Sequence, residues 1–175
     1  AREVAALIDR LDGSFTDAIR ILSECKGKVV ASGMGKAGII AQKFSATLSS
    51  TGTPSLWLHP AEAVHGDLGR ATKDDVIVIL SYSGETDEIK VLLPFLKKIG
   101  SKVISMTGNT SSSLARYSYA VLDVKVAREA CALNLAPTTS TTVMLAMCDA
   151  LSVVLQKLKG FREKDFAMFH PRGSL

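Results

Sequence analysis

The sequence predicts an α/β fold, a five-stranded parallel sheet covered by helices on both faces. Three observations carry that expectation. Short Val/Ile/Leu-rich runs alternate with helical stretches along the 175 residues, and such alternation implies crossover units. The clearest run, DDVIVILSYSG (74–84), holds five consecutive Val, Ile or Leu residues, as a strand buried on both faces does. Apolar residues make up 47% and charged residues 22%, the balance of a globular protein with a core rather than a disordered chain.

Each element follows from local pattern. Val4, Leu7, Ile8, Leu11, Phe15, Ala18, Ile19 and Leu22 recur at helical spacing, with Asp9, Arg10, Asp17 and Arg20 opposite, so the chain opens on an amphipathic helix broken near Gly13. KVVASG (28–33) is a first strand, and the Gly-rich turn 33–38 opens a helix to about Ser50. PSLWLHP (54–60) is a second strand, followed by a short helix or loop at 61–65. After the third strand, 85–99 is an amphipathic helix stopped by Gly100, and SKVISMTG (101–108) is a fourth strand. A short helix at 111–116 leads to AVLDVKV (120–126), the fifth strand. A long helix, 138–159, is apolar on most faces and stops at Gly160; so broad an apolar surface is either central or covered by another subunit. Residues 161–175 show little pattern. No repeat or linker interrupts the chain, so 1–175 reads as one domain, with 1–27 a helical N-terminal segment and 161–175 a C-terminal tail.

Composition narrows the function. Net charge is only +4, the basic residues are scattered apart from a cluster at 157–164, and aromatics are 6%. That argues against nucleic acid as a partner, which wants basic stripes interleaved with stacking platforms. No uninterrupted apolar run reaches the ~18–20 residues of a membrane span, and charges interrupt the opening stretch too often for a signal peptide. Cys25, Cys131 and Cys148 are an odd number without metal-site spacing, as expected of a reduced, intracellular protein. The chain starts without Met and stops at HPRGSL, the pattern of a trimmed chain that a further domain could follow.

In a parallel sheet ligands sit beyond the carboxyl ends of the strands, near the switch in strand order. This directs attention to loops 33–38, 81–86 and 107–112. In Ser81-Tyr82-Ser83-Gly84-Glu85-Thr86 a strand ends, hydroxyls cluster and a helix begins. Backbone N–H groups and hydroxyls there form a site suited to phosphate, or the hydroxyls cap the helix. Glu85, Asp87 and Glu88 suit the helix dipole but repel phosphate, so they must point elsewhere. The turn at 33–38 is similar to a dinucleotide fingerprint but lacks the acidic residue expected after the second strand, which ends Leu58-His59. Lys36 in that turn suits an anionic ligand or a developing oxyanion. Thr138 to Thr142 cap the last long helix or contribute hydroxyls to a polar ligand. His59, His65, Glu129 and His170 each read, taken alone, as ordinary surface residues.

Taken together, GMGKAG (33–38), STGTPS (50–55), HPAEAVHGDLG (59–69), SYSGETDEI (81–89), VAREACALNLAPTTSTT (126–142) and GFREKDFAMFHPRGSL (160–175) resemble the sugar isomerase (SIS) domain of the D-arabinose 5-phosphate isomerases. The resemblance implies a flavodoxin-like three-layer α/β/α sandwich and a cytoplasmic homotetramer with active sites built across subunits. It also implies interconversion of D-arabinose 5-phosphate and D-ribulose 5-phosphate, feeding the Kdo sugar of lipopolysaccharide or capsule. Functional positions of the family fall on Lys36, Glu88, Glu129 and His170, with His65 in the pocket. His59 matches a position that touches substrate and can capture an inhibitory zinc ion. Ser81, Ser83 and Thr86 match the phosphate hydroxyls, with Gly52 and Thr53 nearby. Two positions depart from the pattern: Ala37 stands where the family usually has Ser, and Arg172 stands in a closing motif that usually reads His-Pro-Gly-Gly. Full-length relatives often continue into paired CBS repeats, whereas others end near this point.

Isomerisation through an enediol needs a base at carbon, a cation at the developing oxyanion and help in opening the sugar ring. It requires no metal or organic cofactor. Glu129 or His65 is the expected carbon base, His170 the ring-opening or relay group, Lys36 the enediolate stabiliser, and Glu88 an orienting group. Two other readings use the same fold: a sugar-phosphate sensor without turnover, and an isomerase acting on a hexulose phosphate.

Overall fold

The computed structural model describes residues 1–171. Strands β1 (Val29–Gly33), β2 (Ser55–Leu58), β3 (Val76–Leu80), β4 (Lys102–Thr107) and β5 (Ala120–Asp123) form one parallel sheet in the order β2-β1-β3-β4-β5. This is the flavodoxin-like order, in which strand addition changes direction between β1 and β3. Val29 is aligned with Ser55 on one side and Val76 on the other, and the register continues to Gly33 opposite Leu80.

The helices are α1 (Arg2–Ala5), α2 (Gly13–Ser23), α3 (Gly35–Ser50), α4 (Pro60–Ala63), α5 (Asp87–Ile99), α6 (Ser113–Tyr117), α7 (Thr139–Leu158) and α8 (Glu163–Phe169). Successive side chains along a strand face opposite sides of the sheet. Val76, Val78 and Leu80 therefore join a core with α2, α3 and α7, whereas Ile77 and Ile79 join a second core with α5 and α6. With both faces covered, the strand interior admits no polar alternation, which is why β3 reads as a continuous apolar run.

Local causes account for three features of the helices: the break near Gly13 and the central place of α7, both expected, and a helix in the tail, which was not. The opening stretch divides ahead of Gly13: α1 gives way to a 3-10 turn at Ile8–Arg10, and the Asp12 carboxylate accepts the Ser14 N–H at 2.8 Å to start α2 afresh. The tail is not patternless, because α8 forms there, with the Asp165 carboxylate accepting the Arg162 N–H at 2.9 Å. Its departure at Arg172 lies outside the described residues. Helix α7 is long and apolar enough, by length and composition, to cross a membrane. Here it is a core helix: Val143, Met144, Met147, Cys148, Leu151 and Leu155 are buried in the first core.

Candidate active site

Chain direction places the carboxyl ends of β1 and β3 side by side, with the turn into α3 after one and the loop into α5 after the other. A cavity of about 420 Å³ opens there, lined by Lys36, Ser81, Ser83, Thr86, Glu129 and Asn134 among others. It lies at the switch in strand order, where ligands of open α/β sheets bind.

The loop 81–86 is folded on its own hydroxyls. Ser81 Oγ and Thr86 Oγ1 are 2.9 Å apart, Ser81 Oγ accepts the Gly84 N–H at 3.1 Å, and Ser83 Oγ accepts that of Glu85 at 3.2 Å. Thr86 stands at the N-cap of α5 without its side chain bonding the helix, so its hydroxyl is not consumed by capping. The first N–H groups of α5 have no intrahelical acceptor. Gly84 adopts φ 65°, and a Cβ there would stand 2.0 Å from Ser112 Oγ, so only glycine fits the turn. The acidic side chains do point away. Glu85 accepts the Ser113 N–H at 2.6 Å, which holds its carboxyl below the usual range, and Asp87 pairs with Lys90 at 2.8 Å. The loop thus keeps donors at its mouth and moves negative charge to neighbouring helix surfaces.

Lys36 is exposed in the first turn of α3, on the β1 side of the cavity. Glu129 comes from the connection between β5 and α7. One of its carboxylate oxygens accepts the Thr138 N–H at 2.8 Å, the Thr138 hydroxyl at 3.1 Å and the Ser140 N–H at 3.2 Å; the Ser140 hydroxyl donates to the other. Glu129 therefore caps α7, a role the hydroxyl-rich run 138–142 had suggested for the threonines themselves. Burial acts to raise its pKa, but the hydrogen bonds from Ser140 and Thr138 outweigh it and hold the carboxyl below its ordinary value.

The remaining expected residues lie elsewhere. Glu88 is exposed one residue into α5 and does not line the cavity. His59 and His65 flank α4 beyond edge strand β2 and do not line it either. The His59 Nδ1 accepts the Ala61 N–H at 3.2 Å, and its ring meets Trp57 edge-on. Among the described residues no three His, Cys, Asp or Glu side chains gather to hold a metal ion. Gly52 and Thr53 follow α3, so within one chain they lie at the opposite end of the sheet from Lys36 and are not near the loop 81–86. Phe161 packs against Gly52 and stacks on Phe169, while His170 stacks on Phe166 at 3.8 Å. Thr53 is buried there, with its hydroxyl unpaired. Asn134 lines the cavity although the sequence pattern did not single it out; its signal is an Asn, tolerant of left-handed backbone, in a connection without helix or strand.

A profile of the SIS domain matches residues 21–154. The chain belongs to the SIS domain family. This SIS domain is 52% identical over 172 residues to the arabinose 5-phosphate isomerase KdsD of Pseudomonas aeruginosa, covering 98% of this chain and 53% of that protein. It is 51% identical over 175 residues to the arabinose 5-phosphate isomerase KdsD of Escherichia coli K12, covering 99% and 53%. A solved structure from E. coli CFT073, in complex with A5P, superposes on the SIS domain with a TM-score of 0.91 at 47% identity, over 97% of this chain and 92% of that one. The chain spans about half the length of the curated relatives it matches.

Proposed function

We propose that this SIS domain is the catalytic part of an aldose–ketose isomerase that interconverts D-arabinose 5-phosphate and D-ribulose 5-phosphate through an enediol. The observation that carries the reading is one cavity in which three hydroxyls and the start of α5 face a cation, Lys36, and a carboxylate, Glu129. A phosphate held by Ser81, Ser83 and Thr86 leaves the sugar directed across the cavity toward both. The 52% identity to an arabinose 5-phosphate isomerase supports this substrate over a hexulose phosphate.

The C2 proton of the open-chain aldose passes to a base, and the C1 carbonyl oxygen gains a proton as the enediol forms. Return of the proton to C1, with loss of the O2 hydroxyl proton, gives the ketose. Lys36 stabilises negative charge on the oxygen as it develops. Glu129 or His65 takes the carbon proton; Glu129 lines the cavity and is held ionised, as a proton acceptor must be. His170 opens the ring or relays protons, and Glu88 orients Lys36 or a substrate hydroxyl. The reaction needs no cofactor. Ser81, Ser83 and Thr86 bind the phosphate, and His59 touches the sugar and is the place where an inhibitory zinc would bind.

Gly52, Thr53 and His170, separated from the cavity within one chain by the length of α3, and His59 and His65, which do not line it, contribute from a second copy. The assembly we propose is a homotetramer. Ile39 on α3 and Val153 and Leu158 on α7 remain exposed and apolar, the surface such an assembly would cover. We place the reaction in the cytoplasm, supplying Kdo for lipopolysaccharide or capsule.

Turnover of arabinose 5-phosphate in heavy water tests the reading. Deuterium should enter the reacting carbons of product and recovered substrate, and Glu129→Gln should abolish turnover and wash-in while leaving ligand binding nearly intact. Tight binding of the sugar phosphate by wild type without turnover or exchange would instead establish a sensor. Sedimentation equilibrium giving a monomer at micromolar concentration would exclude the tetramer.

A further inference from the structure

Among the described residues, Asn134 is the one non-glycine residue with a left-handed backbone, at φ 55°. It lies in the connection between β5 and α7, four residues ahead of the Thr138 that begins the α7 cap. Asn tolerates that conformation better than other side chains. Yet glycine would adopt it with no steric penalty, so reversing the chain does not by itself account for the side chain.

The hydrogen bonds do account for it. The Asn134 Oδ1 accepts the backbone N–H of Glu129 at 2.6 Å, and the Asn134 N–H donates to the Cys131 carbonyl at 2.8 Å, closing the loop on itself. Asn134 also lines the cavity beside Ser81, Ser83, Thr86 and Lys36. Glu129 is thus gripped twice. Thr138 and Ser140 hold its carboxylate, and Asn134 fixes the backbone from which that carboxylate projects. Strained backbone at a functional site persists when the surroundings over-determine it, and here the surroundings are the hydrogen bonds that place one carboxylate.

We propose that Asn134 is a positioning residue for Glu129: its amide oxygen and left-handed backbone set where the Glu129 carboxylate stands relative to a substrate held by the loop 81–86. This rests on the reading of Glu129 as a group that handles the substrate proton. Asn134 itself touches Glu129 rather than the reacting atoms.

Two substitutions separate positioning from chain reversal. Asn134→Gly keeps the backbone and removes the oxygen, whereas Asn134→Asp keeps an oxygen acceptor and a side chain tolerant of the left-handed region. Amide hydrogen exchange at Glu129 reads the grip directly: exchange should accelerate roughly tenfold or more in Asn134→Gly and return toward wild type in Asn134→Asp, since local protection reports local opening. Turnover of arabinose 5-phosphate reads the consequence. In Asn134→Gly, kcat should fall about tenfold to a hundredfold, the scale of a small misplacement of a catalytic group, with KM and melting temperature close to wild type. Asn134→Asp is read by exchange alone, because its acceptor is charged and lines the cavity proposed to hold the phosphate. Unchanged Glu129 exchange, a wild-type kcat in Asn134→Gly, or a loss confined to KM would each overturn the proposal. A wild type that does not turn over the sugar phosphate refutes the isomerase reading and this proposal with it; wild-type turnover insensitive to Asn134→Gly refutes this proposal alone.

Discussion

The Tyr82 hydroxyl oxygen lies 3.1 Å from the amide nitrogen of Val126, whose N–H it accepts, and 3.4 Å from the carbonyl oxygen of the same residue, to which it donates. One side chain thereby ties the hydroxyl loop after β3 to the segment that carries Glu129, 44 residues further along the chain. The ring rests on Gly108, where a Cβ would stand 2.6 Å from it, and the Tyr82 carbonyl accepts the Gly108 N–H at 2.9 Å. Tyr82→Phe should therefore lower stability by about 1–2 kcal/mol, the cost of leaving a buried amide unpaired. Urea unfolding measures it. Gly108→Ala should cost more, because it displaces the ring; a Gly108→Ala variant as stable as wild type would show that the brace is loose.

Ser83→Ala and Thr86→Val should each weaken binding of arabinose 5-phosphate by roughly 1.5–3 kcal/mol, the loss of a hydrogen bond to a charged group. Isothermal titration calorimetry compares them with wild type. Unchanged affinity in both would mean that phosphate binds elsewhere. Ser81→Ala should also loosen the loop, since Ser81 Oγ accepts the Gly84 N–H and meets Thr86 Oγ1.

Lys36→Met should reduce kcat far more than affinity, because charge appears on the substrate oxygen only along the reaction path. Equal losses in kcat and binding would make Lys36 a contact to the ground-state phosphate.

The hydrogen bonds from Ser140 and Thr138 that lower the Glu129 pKa outweigh the opposing effect of burial. A base depressed in this way is ionised and able to accept a proton above its folded pKa, and loses that ability only as pH falls below it. If Glu129 is the carbon base, the pH profile of kcat should hold an acidic limb below about 4.3, the ordinary Glu value. Ser140→Ala should move that limb upward. A profile in which Ser140→Ala moves no limb would remove Glu129 as the base.

Asp75 is buried at the amino end of β3, where it accepts the Lys28 N–H at 2.8 Å, the Lys28 ammonium at 2.9 Å and the Thr72 N–H at 2.7 Å. Burial pushes its pKa up, but these hydrogen bonds prevail and it lies below the usual value. A carboxyl with a depressed folded pKa contributes stability that is complete above its unfolded value, about 3.9, and is lost as pH falls through the folded one. Asp75→Asn should thus cost about 1.5–3 kcal/mol at neutral pH, with the gap to wild type closing below pH ~4. Melting temperatures of both proteins across that range check the sign; a gap that widens toward acid would overturn it.

The sheet was legible because a strand covered on both faces is apolar at nearly every position: β3 is Val, Ile or Leu throughout, and β1 departs only at Ser32, whose hydroxyl donates to the Leu58 carbonyl at 2.7 Å. Helix stops were legible where the chain turns left-handed, as at Gly100 with φ 87°. The break near Gly13 was legible, whereas the formation of α8 depends on a single side chain accepting a nearby N–H, which hydrophobic periodicity does not register. Ser81, Ser83 and Thr86 were legible as an anion loop because strand end, hydroxyls and helix start are contiguous. Glu129 was not legible as the cap of α7: it lies nine residues before Thr138, and only the folded loop brings the two together. Residue order places Gly52 and Thr53, which follow α3, at the far end of the sheet from Lys36, but it does not place His170.

Helix α3 carries Lys36 in its first turn and ends immediately before Thr51 and Gly52. Sixteen residues of helix at 1.5 Å per residue measure about 24 Å. An extended five-carbon sugar phosphate is only about 8 Å long at ordinary bond lengths. No single substrate molecule can touch both ends of one chain. Any step that draws on both ends is accordingly second order in the protein, and its specific activity falls as the chains are diluted apart.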